Sequence, residues 1–120
     1  ADARKDVYAP GLSRAAGDLT VRLVEATPAP PAKLANALTL EVRDASGSPV
    51  EGATITVTPF MPDHGHGSSV TPVVVASGGG RYVVTKLYFA MAGLWRLTIA
   101  VQRGAGEPAR EAAFQFCLDG

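Results

Sequence analysis

Apolar and polar residues alternate along this chain in short runs, and the period is close to two almost throughout. Ala53, Ile55 and Val57 alternate with Thr54, Thr56 and Thr58, the pattern of a strand with one face in a core and the other in water. Leu19, Val21 and Leu23 share one face of a run over 19–26, and Leu38, Leu40 and Val42 share one face of a run over 36–43. Trp95, Leu97, Ile99 and Val101 do the same over 95–102, as do Phe114, Phe116 and Leu118 over 111–118. Two weaker runs, around 70–76 and over 81–87, bring the number to seven. No segment has a convincing helical period.

Turn chemistry separates the runs. Pro28, Pro30 and Pro31 stop the first, because proline cannot donate to a ladder, and Asp44 to Pro49 and Gly78-Gly79-Gly80 read as turns. A loop over 60–69 joins the third run to the fourth. Short strands at this spacing predict an all-β, immunoglobulin-like antiparallel sandwich of about seven strands, in one domain over 18–120. Its expected core holds Leu38, Leu40, Ile55, Val57, Trp95, Leu97, Ile99, Phe114 and Phe116. Residues 1–17 lack a period and are expected to form a loosely ordered lead-in.

Composition agrees with one folded domain: of 120 residues, 47% are hydrophobic and 18% charged, enough to bury a core. Eleven basic residues balance eleven acidic ones, so no net field draws the chain to nucleic acid or anionic lipid. No apolar run approaches the roughly 20 residues that cross a bilayer, and the first residues lack a signal-peptide core. An exported protein trimmed of its leader would begin in the same way. Cys117 is the single cysteine, which rules out an internal disulfide and leaves the redox compartment open.

The chemistry concentrates in Met61-Pro62-Asp63-His64-Gly65-His66-Gly67, which contains both histidines and one of the two methionines. Imidazole nitrogen ligates copper, zinc or nickel, and thioether sulfur selects copper(I) over harder ions. Glycine on each side of His66 gives the loop freedom to turn both rings toward one point. Met91 lies in the link between the fifth and sixth runs, and alternating strand directions bring that link to the same end as the histidines. The candidate ligands are therefore Met61, His64, His66 and Met91, for copper(I) first, with copper(II) or zinc as alternatives. Competing readings are plain: a polar turn, and methionines filling gaps in a core. Trp95 is expected in the core, Asp63 in a side-chain-braced turn, and Cys117 pointing away from the core. No acid pair, Ser-His-Asp arrangement or phosphate loop is present, so no enzyme is expected.

Asn36, the turn Gly47-Ser-Pro-Val-Glu-Gly-Ala53, Met61-Pro-Asp-His-Gly-His66, Gly80-Arg-Tyr82 and Phe89-Ala-Met-Ala-Gly-Leu-Trp95 together resemble the YtkA-like domain, related to FixH-type proteins, over Leu19 to Val101. The resemblance implies an immunoglobulin-like sandwich in a periplasmic or otherwise extracytoplasmic protein, in some cases membrane-anchored, associated with copper handling and oxidase assembly. Met61, His64 and Met91 fall on its motif positions and His66 extends the loop; Cys117 lies outside it. The expected function is a copper chaperone or scavenger, whose partners are the metal ion and a copper-receiving or membrane protein. The alternative is a non-catalytic accessory module without metal.

Overall fold

The computed structural model describes residues 3–119. Among these residues nine strands follow one another: β1 (Ser13–Ala16), β2 (Leu19–Thr27), β3 (Leu34–Arg43), β4 (Thr54–Met61), β5 (His66–Gly67), β6 (Val73–Gly78), β7 (Arg81–Phe89), β8 (Gly93–Gln102) and β9 (Arg110–Leu118). They form two sheets, ordered β1-β2-β3-β7-β6 and β5-β4-β8-β9, and every paired neighbour is antiparallel. Among the described residues there is no helix, and so none long and apolar enough to cross a membrane.

The seven expected runs correspond to β2, β3, β4, β6, β7, β8 and β9. Period-two alternation carries through to burial: in β4, Ile55, Val57 and Met61 are buried while Thr54, Thr56 and Thr58 are exposed. All nine expected core residues are buried between the sheets, joined by Leu19, Leu23, Tyr82, Val84, Leu87 and Phe89. Tyr82 also ties the β3–β4 link to the core, donating its hydroxyl to the Val50 carbonyl at 2.7 Å and accepting the Ala53 amide at 3.2 Å.

Three elements depart from the sequence reading, β5 among them, since it forms a two-residue strand within the expected loop over 60–69. Ser13–Ala16, inside the expected loose lead-in over 1–17, is strand β1 on the edge of the larger sheet, and Asp6 donates its amide to the Gln115 carbonyl at 2.6 Å. A partner 109 residues away makes the order there invisible to local pattern. The outermost residues of the expected spans, 1–2 and 120, lie outside the described residues. The fourth run begins at Val73 rather than Val70, because the Ser68 hydroxyl accepts the Val70 amide and bends the chain before Pro72.

Leu34 pairs with Phe89, Phe60 with Arg96 and Gly93 with Leu118. The β2–β3 link, the β4–β5 hairpin, the β7–β8 link and the end of β9 therefore meet at one end of the sandwich. That is the end where alternating strand directions place the candidate ligands.

Candidate metal site

The histidine loop is a hairpin. β5 pairs back on β4 with Phe60 opposite Gly67 and Met61 opposite His66, leaving Pro62 to Gly65 as the turn. The Met61 carbonyl accepts the His64 amide at 3.2 Å and the Gly65 amide at 2.9 Å. Gly65 closes the turn at φ 68°, a left-handed conformation in which glycine carries no steric cost. At Gly67 a Cβ would lie 3.0 Å from the Pro59 carbonyl oxygen, so the second glycine allows close approach rather than positive φ.

Residues opposite one another in an antiparallel pair project from the same face of the sheet. Met61 points into the sandwich, so His66 starts on that inner side too, but β5 ends the sheet and leaves the imidazole exposed. The His64 and His66 rings lie 5.8 Å apart, centroid to centroid, at 37°. The structure thus brings both imidazoles together at an exposed hairpin tip. Met61 is wholly buried, with its sulfur enclosed by the core rather than displayed beside the imidazoles.

Trp95 connects these parts. Extending the Phe60–Arg96 register by one residue sets Trp95 beside Met61 on the inner face, and Trp95 in turn pairs with Phe116. Its ring lies 6.5 Å from that of His66, edge-on at 77°, and 5.1 Å from that of Phe89. Its indole N–H donates to the Met91 carbonyl at 2.9 Å, which fixes the β7–β8 link against the core. Met91 itself is 39% exposed, so its thioether lies at the surface of that link. The Met61 methyl rests against Gly93, where a Cβ would come within 2.9 Å of it. Trp95 is in the core as expected, and its hold on Met91 is the contact that alternation alone does not reveal.

Asp63 forms a two-pronged ion pair with Arg4, both contacts at 2.8 Å, tethering the hairpin tip to the N-terminal segment. Fifty-nine positions separate the two, so no local signal announces it. Cys117 is exposed opposite Leu94, as its alternation with Phe116 and Leu118 predicts. Among the described residues no three His, Cys, Asp or Glu gather as a cage for an ion. The donors at this end are two imidazoles with one exposed and one enclosed thioether, a soft set in the sense that favours copper(I) over calcium or magnesium.

Comparison with solved structures supports the fold. A DUF4426 family protein from Pseudomonas aeruginosa PAO1 is similar with a TM-score of 0.62 and 21% identity, covering 89% of this chain and 96% of that one. The Lin-41 filamin domain is similar with a TM-score of 0.54 and 15% identity, covering 90% and 98%. At such identities the likeness is one of architecture. No curated protein matches the chain. The YtkA-like family model matches residues 13–100, from β1 into β8 and across the hairpin, the Met91 link and Trp95, and the chain therefore belongs to the YtkA-like family.

Proposed function

We propose that this end of the sandwich holds one copper ion, as copper(I), with His64 and His66 as nitrogen ligands and Met91 and Met61 as sulfur ligands. The observation that carries the reading is the hairpin register. It sets His66 across the ladder from Met61, with His64 5.8 Å away and Met91 on the adjoining link. In this reading the exposed imidazoles and Met91 capture the ion, and Met61 joins when the two-residue β5 shifts on its edge. A ligand set at an exposed tip, on a rigid scaffold, suits exchange with a copper-receiving protein, so the function is a chaperone or scavenger without catalysis. In this reading the protein works outside the cytoplasm, free or anchored, as its YtkA-like resemblance implies.

The test is a copper(I) titration against a competing chelator, repeated with zinc(II), while following the fluorescence of Trp95, the single tryptophan. Copper(I) is expected to bind more tightly than zinc(II), which gains little from thioether sulfur, and to quench Trp95. Protons compete for imidazole and not for thioether. Affinity should therefore fall as the medium is acidified. His64→Ala with His66→Ala should remove most of that slope, and Met91→Ala should weaken binding at every pH without changing it. Preference for zinc, or a double histidine variant that binds like the parent, rejects the reading.

One observation favours a second reading, an accessory interaction module without metal: the enclosure of Met61 is what a core gap-filler shows. Such a module retains no copper after purification without a tag.

A further inference from the structure

The two sides of the sandwich are closed differently. On one side the N-terminal segment caps β9: Asp6 bonds the Gln115 carbonyl through its amide and takes the Gln115 amide on its carboxylate at 2.8 Å, while Arg110 pairs with Asp18 just after β1. On the other side the outermost strand of the smaller sheet is β5, which covers only Phe60 and Met61. Among the described residues no strand lies beside the β4 edge from Thr54 to Pro59.

The chain after β5 is turned away from that edge by the Ser68 hydroxyl bond to the Val70 amide at 3.1 Å, and Pro72 then leads it into β6 of the opposite sheet. Between the edge and the departing segment lies an open cleft of about 250 Å³, lined by Thr56, Val57, Thr58 and Pro59 on one wall and Val70 and Pro72 on the other. Residues from both faces of β4 line it, so it runs along the row of main-chain groups itself.

Edge strands are ordinarily guarded by charge, bulges, proline or a covering segment. β6 carries a bulge between Ala76 and Gly78, and β9 is capped. β4 pairs with β8 without a register shift, none of the described residues lining the cleft is charged, and Pro59 guards only one end.

We propose that the β4 edge docks a partner by strand addition: an extended, uncharged peptide segment continues the ladder where β5 stops, its main chain bonded to β4 and one apolar or β-branched side chain seated among Val57, Val70 and Pro72. The absence of charge in the cleft sets the chemistry, because a charged side chain would lose water there and gain no partner. The wall at 68–72 favours a single extended chain over a second copy of this protein, whose own sheet would have to enter the slot. This site is independent of the copper reading.

The probe is a synthetic peptide of alternating valine and threonine, about nine residues long and with a lysine at each end for solubility. Amide exchange is measured on the full chain with and without it. Exchange at the β4 amides that face away from β8 should slow by about tenfold or more at saturation. Val70→Asp, at a half-exposed position outside the core, should abolish this protection while leaving the fold intact by circular dichroism. The same peptide N-methylated along one edge should not protect. Protection elsewhere, equal protection by the methylated peptide, or sedimentation showing a dimer that closes this edge without peptide overturns the proposal.

Discussion

Gly93 shows how one residue serves both the fold and the candidate site. Its φ of 128° is open to glycine and strained for any other residue, and a Cβ there would press on the Met61 methyl at 2.9 Å. The methyl is the flexible end of its side chain and can give way, so the backbone strain decides the cost. Gly93→Ala is expected to destabilise the protein by about 1–3 kcal/mol in urea unfolding. A change under about 0.5 kcal/mol would mean that the link relaxes freely. The methionines divide in the same residue-level way: Met91 is available at the surface, whereas Met61 is first a core residue. Met61→Ala should therefore cost about 2–5 kcal/mol of stability.

At the scale of elements, β3 carries a charge on its outer face that pattern reading passes over. Glu41 is 4% exposed and is flanked across the ladder by Arg22 of β2 and Arg81 of β7, with Arg43 on its own strand. Guanidinium contacts run at 3.4 Å from Arg22, 3.1 Å from Arg43 and 3.6 Å from Arg81. Hydrogen bonding from Arg43 does most to hold the carboxyl below its usual range; the charges of Arg43 and Arg22 add to it, against burial, which pushes the other way. A carboxylate with a depressed folded-state pKa contributes stability that is fully present above its unfolded value. That stability is lost as pH falls through the folded value. Glu41→Gln should therefore lower stability at neutral pH by about 1–3 kcal/mol and flatten the decline expected below the usual carboxylate range. The arginines are nearly half exposed, so the lower part of that range is expected. Parallel acid-denaturation curves for the two proteins would reject the assignment.

Across the whole molecule, the N-terminal segment acts as a clasp. It bonds β9 through Asp6, meets β2 through the Gly11 amide on Leu23 and the Leu23 amide on Leu12, and reaches the hairpin tip through Arg4 and Asp63. Deleting residues 1–10 is expected to cost about 2–4 kcal/mol by leaving the edge of β9 unpaired and removing several bonds. It should also raise amide exchange at Gln115 and loosen the hairpin that presents His64. Unchanged exchange at Gln115 would show that the clasp contributes nothing in solution.

Alternation in Thr54–Thr58, Trp95–Val101 and Phe114–Leu118 was sufficient by itself to determine an all-β sandwich and its core, because period two leaves only one way to bury an apolar face. Strand alternation also determined that the histidine hairpin, the Met91 link and Cys117 share one end. Tertiary structure alone decided which ligands are displayed: register set His66 across from the buried Met61, and the Trp95 indole drew in the Met91 carbonyl. It alone fixed Arg4 and Asp6 too, since they find partners 59 and 109 positions away, beyond any local pattern. Contacts that close over such separations depend on how the two sheets are stacked, and a chain's local periodicity carries no record of that stacking.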